Sequence, residues 1–496
     1  MSRHCLDADE PESVHIEVHL PGRLDPDRLR AAFRQALLAH PRALMREVPG
    51  RLHRRSFAWE LTGAPDGEPV GFADRGPDAL ARARARALDV CPPLTLSPPM
   101  RLEAVEQGGT EAFAEDGAWA YAEDGAEAFA EDGAGAAAEA GGRTEAGDAT
   151  EHEAGSETRA AVPGGTGTVL LLTLHHTALD APSGLRLLAT TAERYAGGAA
   201  LPVPGRVRPA PPGAAPGGTG RTARTRPVRL APDSRPVAER ARTVGNGMLQ
   251  LDLPVPGRAT PADGLPPWTV NDQLLVATAL TVGRWNVAHG RPAGPVRLTM
   301  PVDDRPRGAE MPMGNGTRLV EVDMAAEDPG DTELLLGERP DPAAVDRLLR
   351  TTARRTRALT SVRGAPMGAG ADLLTAPVLP VGVRGVLTRG ARRAAASWTS
   401  TALVTNIGRV PYALDFGDAG RATAVWFSAP ARMPRGLSVA AASTGGRLHI
   451  SVRWSRALLG DAAGAELAGL FEESLAAVDP AADAARSTQD NHKRPS

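Results

Sequence analysis

Lysine is all but missing from this 496-residue chain, with Lys493 near the C-terminus as its sole example. That scarcity removes whole classes of chemistry. A phosphate-binding loop of the Gly-Lys-Ser/Thr kind needs a lysine after its glycines, and a Schiff base needs one in a pocket. Cysteine is nearly as rare. Cys5 and Cys91 are too few for a disulfide framework or a cysteine zinc site, and Cys91, ahead of Pro92-Pro93, reads as a small packed residue rather than a nucleophile. Aromatics form 4% of the chain, and none occurs between Tyr195 and Trp268. The arginines in that interval therefore lack the stacking partners that single-strand nucleic-acid binders interleave. No apolar run approaches the roughly 20 residues of a membrane span, and no secretory signal opens the chain. No Gly-x-Gly-x-x-Gly leads from a strand into a helix, and Gly436-Leu-Ser438-Val-Ala440 lacks the closing glycine of a nucleophile elbow. The expectation is a cytoplasmic protein without bound cofactor, metal or nucleic-acid partner.

What the chain does contain is alanine, glycine, proline and arginine, at 42% apolar residues overall, enough for large cores. Its charge is unevenly spread. Gln107 to Gly167 holds fourteen acidic residues and two arginines, a net of −12 in a chain of net −3, so the remainder carries +9. Within that stretch Ala-Glu-Asp-Gly-Ala recurs at Ala114, Ala122 and Ala130. Three glycine-broken copies have no core of their own, and residues 107–167 read as a disordered acidic insertion. Residues 206–243 read as a Pro/Arg/Gly-rich linker between an N-terminal half (1–205) and a C-terminal half (244–480), with 481–496 as a disordered tail.

The most informative stretch begins at Val169. Its apolar run to Leu174 predicts a buried strand, closed by His175 and His176, with Asp180 four residues further on. Ser183 is predicted to cap a helix from about Gly184 to Tyr195. Neighbouring strand residues point to opposite faces, so the two histidines should not share a task or a metal. Further strands are expected at Val14–Leu20, Pro99–Val105, Val296–Met300, Thr317–Asp323, Ala424–Phe427, Leu437–Ala442 and Arg447–Trp454, the last two joined at Thr444-Gly-Gly446. Helices are expected at Asp25–Ala39, Ala79–Ala87 (solvated), from Trp268 to Trp285, at Pro342–Leu359 and at Ala463–Val478. His15 and His19 share a strand face and read as surface or groove residues. Ala371–Trp398 is amphipathic and proline-broken, which fits core packing, an acyl channel or a membrane surface.

His175-His176-Thr-Ala-Leu-Asp180 resembles the HHxxxDG signature of the condensation-domain superfamily, with Ala181 in place of its glycine. That superfamily includes nonribosomal-peptide condensation domains, polyketide-associated acyltransferases and wax-ester synthases, relatives of chloramphenicol acetyltransferase. Asn271-Asp272, Arg305-Pro-Arg307, Gly314-Asn315 and Asn406-Ile-Gly408 follow in the order of its further elements. The resemblance implies an α/β (α+β) fold of two chloramphenicol acetyltransferase-like two-layer sandwiches meeting in a V, with the active site in the cleft. It implies a catalytic His176, acting as general base or as an orienting group, beside a structural His175. Asp180 would be architectural and paired with Arg305. Ser183, Gly184, Asn406 and Gly408 would approach the substrate channel, and Asn271 and Asp272 would hold its floor or simply cap a helix. The implied function is a freestanding, monomeric acyltransferase in natural-product biosynthesis. It would move an acyl group from a phosphopantetheinyl thioester, on an acidic acyl or peptidyl carrier protein or on coenzyme A, to a small amine or hydroxyl acceptor. An O-acyltransferase using acyl-CoA, or a catalytically silent recruitment module, are the alternatives.

Overall fold

A computed structural model describes residues 10–50, 53–74, 76–107, 167–198, 225–257, 267–305, 311–361 and 378–479. The acidic insertion, the first part of the expected linker, the tail, Cys5, Arg307 and the beginning of the amphipathic stretch lie outside them.

The first half of the chain runs β1 (Ser13–Leu20), α1 (Pro26–Ala39), β2 (Met45–Glu47), β3 (Trp59–Leu61), β4 (Val70–Phe72), α2 (Ala79–Asp89), β5 (Met100–Glu106), β6 (Thr168–His175) and α3 (Ala181–Tyr195). The second runs α4 (Val237–Arg240), β7 (Asn246–Pro254), α5 (Val270–Ala288), β8 (Arg297–Asp303), β9 (Thr317–Asp323), α6 (Asp331–Leu336) and α7 (Pro342–Ser361). It continues with α8 (Val381–Ala394), β10 (Ala402–Arg409), β11 (Ala424–Ser428), β12 (Leu437–Thr444), β13 (Arg447–Ser455) and α9 (Asp461–Ala477). These make two main sheets, ordered β11-β1-β6-β5-β4 and β7-β13-β12-β10-β8-β9, plus the β2–β3 hairpin.

Local chemistry explains most of these elements. Asp25 caps α1 by accepting the Arg28 N–H at 2.7 Å, and Thr269 with Asp272 forms a reciprocal capping box on α5. Alternation sorts β6 between two cores: Leu170, Leu172 and Leu174 join the core that contains residues of α1 and α3, while Val169 and Leu171 meet Ala79 and Ala83 of α2. Helix α2 therefore buries an alanine stripe against the sheet rather than being solvated all round.

One strand crosses between the halves. β11, expected with its neighbours of the second half, pairs antiparallel with β1 from His15↔Ser428 to His19↔Ala424. Periodicity says that a strand is half-buried but not which open edge completes its hydrogen bonds. β12 is the shared wall: Ala440 and Ala442 face the first core, Val439 and Ala441 the second.

Placing β1 between two strands also corrects the reading of its histidines. His15 is 1% exposed and His19 largely buried, and both bond to the fully buried Glu17 between them. Arg84 of α2 and Gln250 of β7 bind the same carboxylate. Burial opposes the charge on Glu17, but Arg84 and the two imidazoles hold its pKa well below the usual carboxylate range. The expected linker also docks early. Leu230 and Ala231 are buried in the second core, and the indole of Trp285 donates to the Ala231 carbonyl at 3.0 Å, because two apolar residues among the prolines suffice to anchor that segment.

His40 follows α1 and meets Thr190 of α3 through Nε2 at 2.8 Å. Burial, with repulsion from Arg186, pushes its pKa down from 6.5 to about 4. Between those values the unfolded chain binds a proton that the folded chain refuses, so stability falls as pH drops from about 6.5 toward 4. The melting temperature is expected to be lower at pH 5 than at pH 7.5, with a smaller drop in His40→Gln. Equal drops in the two proteins would remove His40 as a cause.

Candidate functional site at the strand end

β6 delivers its two histidines differently. His175 ends the strand, 6% exposed, and its Nδ1 accepts the Thr177 N–H at 3.1 Å. His176 lies just beyond, half-buried, with Nδ1 3.3 Å from the Leu179 carbonyl. A carbonyl can only accept, so Nδ1 of His176 carries the hydrogen of that bond, and in the neutral ring Nε2 then holds the lone pair. The rings thus take opposite tautomers, and only the second leaves its basic Nε2 outside this local bonding.

The backbone of His176 is held from both halves. Its N–H donates to Glu12 at 2.8 Å. Its carbonyl accepts from Nδ2 of Asn315 at 2.8 Å, and the same nitrogen reaches the Thr177 carbonyl at 3.0 Å. Helix α3 then starts earlier than expected. Its cap is Asp180, not Ser183: the Asp180 Oδ1 accepts the Ser183 N–H at 3.1 Å and its hydroxyl at 2.8 Å. Ala181 is the first helical residue, and Pro182 occupies the first turn, where its missing N–H leaves nothing unpaired. A carboxylate two residues before the proline outcompetes a hydroxyl inside the first turn as acceptor for the free N–H groups.

The other oxygen of Asp180 is spent across the seam. Oδ2 accepts from Arg305 at 2.7 Å and from the Gly316 N–H at 3.1 Å. Arg305 also bonds to Asp303 at 2.9 and 3.1 Å and to the carbonyls of Pro312 and Gly314 at 3.1 and 2.8 Å. Burial works against its charge, but the Asp303 bonds and the Asp180 charge outweigh it and raise its pKa. Ser183 completes the clamp, its hydroxyl lying 3.0 Å from the Gly314 carbonyl and accepting the Gly314 N–H at 3.1 Å. Arg305, Gly314, Asn315 and Gly316 of the second half thereby grip loop 175–183 of the first.

No family model matches the chain. Two uncharacterized proteins of Mycobacterium tuberculosis, one of them Rv2305, are 25% identical over 504 aligned positions, covering 95% of this chain and 96% of theirs. Among solved structures, the first condensation domain of the calcium-dependent antibiotic synthetase with a substrate analogue superposes at a TM-score of 0.56. It is 14% identical, with 97% of this chain and 94% of that one covered. The starter condensation domain of rhizomide synthetase, as a variant with C8-CoA and Leu-SNAC, gives 0.53 at 13% identity over 96% and 91%. This is the condensation-domain fold. That fold has two chloramphenicol acetyltransferase-like subdomains, and this chain has two main sheets.

Within the condensation-domain fold, the sequence-predicted residues separate into two groups. His175, His176, Asp180, Ser183 and Arg305 come together at the seam. Gly184 does not line a channel: it is buried where a Cβ would meet Ile16 and Leu174 at 2.7 Å, so it lets α3 lie against the sheet. Ser183 is likewise fully buried, a clamp residue rather than a channel wall. Asp272 has both oxygens occupied, by Thr269 and by Thr356 of α7 at 2.7 Å, and Asn271 contacts Met300 at 2.9 Å. Their place is the root of α5, the capping alternative. Asn406 accepts the Gly408 N–H at 2.8 Å across a bulge in β10. The bulge residue Ile407 shares with Pro182, Leu185 and Tyr412 a cavity of about 20 Å³, which brings this strand beside the start of α3. A larger groove of about 840 Å³ on the second half is lined by none of the seam residues. Cys91 is no nucleophile here, since burial pushes its thiol up to about 12.

Asn315, Asp303 and Gly316 were not among the predicted site residues, although the Gly-Asn-Gly triplet between β8 and β9 is a visible signal. Gly314 has a φ of 127°, and a Cβ on Gly316 would stand 2.3 Å from Arg305 Cδ and Nε. Gly316→Ala should therefore displace the guanidinium from Asp180 and destabilise the protein by about 1–3 kcal/mol, read as a lower urea midpoint. An unchanged midpoint would show that Arg305 can move aside freely.

Proposed function

We propose that this chain is a condensation-type acyltransferase, with His176 guiding an amine or hydroxyl onto the carbonyl of a phosphopantetheinyl thioester. The observation that carries this reading is the 3.3 Å contact between His176 Nδ1 and the Leu179 carbonyl: in the neutral ring it directs the hydrogen to Nδ1 and leaves Nε2 to receive a proton. In the proposed step the acceptor heteroatom attacks the thioester carbon while its proton passes to Nε2. The tetrahedral intermediate then collapses, the carbon–sulfur bond breaks, and the thiolate leaves as a thiol after taking that proton. Holding the His176 backbone from both halves, with the ring tied to Leu179, limits the reorganisation needed at the moment of attack. His175, with Nδ1 already spent on Thr177, supports the loop instead.

Asp180 is assigned to architecture because both of its oxygens are bonded away from the imidazole. The donor is a carrier-protein or coenzyme A thioester, in keeping with the C8-CoA and Leu-SNAC of the rhizomide starter domain. The acceptor is a small-molecule amine or alcohol. Single-turnover transfer from a mixed panel of acyl-CoA and acylated carrier protein, with products read by mass spectrometry, tests the proposal. Product formation that requires His176 supports it; carrier binding without transfer by the wild-type protein would establish the silent recruitment module.

A further inference from the structure

Helix α8 is mounted the opposite way from an ordinary amphipathic helix. The stripe it turns inward is Val381, Arg384, Gly385 and Thr388. Arg384 is 6% exposed and donates to the carbonyls of Leu379 and Arg55, the latter in the first half. The Val381 N–H similarly reaches the Arg54 carbonyl at 2.7 Å. The helix is thus anchored across both halves by polar bonds, while Val383, Val386 and Leu387 face outward at 46, 62 and 50% exposure. Val378, Leu379 and Trp398 are also exposed at its two ends. Spacing of i, i+3 and i+4 places the three outward aliphatics in one stripe.

The charge of the sequence around that stripe is of one sign. No acidic residue occurs from Leu373 to Leu414. Arg389 and Arg393 are exposed beside the aliphatics, and Arg226 lies over the Trp398 ring at 5.4 Å. We propose that α8 docks this protein on an anionic lipid surface, its aliphatic stripe entering the interface and its arginines meeting headgroup phosphates. A protein partner would be expected to meet a pocket or groove for its anchoring side chains, whereas a helix stripe of Val, Leu and a nearby Trp, flanked by the exposed Arg389 and Arg393, matches a planar interface. Among the described residues no helix is long and apolar enough to cross a membrane, so the contact is peripheral. The surface is independent of the chemistry assigned to His176.

The test uses the full chain with vesicles of phosphatidylcholine alone and of phosphatidylcholine with about one third phosphatidylglycerol, in a flotation assay. The wild-type protein should float with the anionic vesicles at low salt and largely release as ionic strength rises. Val386→Glu with Leu387→Glu should reduce binding at least tenfold at an unchanged melting temperature, because both side chains already face water. Arg389→Glu with Arg393→Glu should abolish the preference for anionic vesicles. No flotation by the wild-type protein, or equal flotation by the glutamate variants, would overturn the proposal. So would sedimentation as a dimer that Val386→Glu with Leu387→Glu disperses, since the stripe would then be an interface between copies.

Discussion

His176→Ala is expected to lower single-turnover acyl transfer by about 10²–10⁴-fold, the range supplied by one positioned acid–base group, which corresponds to about 3–5 kcal/mol of transition-state stabilisation. The protein should stay folded. The ring contributes one 3.3 Å bond to Leu179 and is half-buried, while the contacts that fix the loop at this position are made by the backbone, with Glu12 and Asn315. Alanine keeps both. Melting temperature and thioester binding should therefore remain close to the wild-type values while transfer collapses. Retention of transfer within threefold would remove the imidazole from the chemistry. His176→Gln is the sharper comparison, because a neutral amide can still bond to Leu179 but cannot accept the proton.

Asp180→Ala should behave in the opposite way, with stability lost along with activity. The variant leaves Arg305, whose side chain is 10% exposed, without one of its two carboxylate partners. It also removes the cap of α3 and the acceptor for the Gly316 N–H. Breaking a buried ion pair costs about 3–5 kcal/mol, and loss of a cap about 1 kcal/mol. Asp303 continues to bond to Arg305, which places the expected loss near the low end, about 3 kcal/mol in total. Urea unfolding of wild type, Asp180→Ala and Asp180→Asn measures it. The asparagine should lose less, since its carbonyl can still cap Ser183. Equal midpoints for Asp180→Ala and His176→Ala would erase the division between an architectural carboxylate and a chemical imidazole.

Much of this site is legible in the sequence. The run from Val169 to Leu174 is too short and too apolar for anything but a buried strand or a core helix turn, and the histidines and proline after it mark its end. The pairing of Asp180 with Arg305 came from the family resemblance, and the 2.7 Å contact is its geometry. Less legible were the residues whose role depends on neighbours distant in sequence. Ser183 is suited to a cap, but Asp180 sits three residues earlier and takes the N–H that a cap must satisfy. His15 and His19 alternate as surface residues do, yet both strand neighbours and a covering helix enclose them.

The chain's local order was therefore settled by its own residues: the period of two in β1 and β13, the apolar run of β6, the prolines and carboxylates that open α1 and α3, and the Gly445-Gly446 turn with φ of 59° and 82°. These depend on contacts within a few residues, and such contacts form in any context. Tertiary structure alone decided that β11 would complete the edge of β1, that Asn315 would hold the carbonyl of a histidine 139 positions away, and that α8 would turn its arginine inward. In each case several partners were chemically acceptable. The choice fell to the arrangement that gave these particular buried groups their partners, Asp180 with Arg305 and Arg384 with the Arg55 carbonyl.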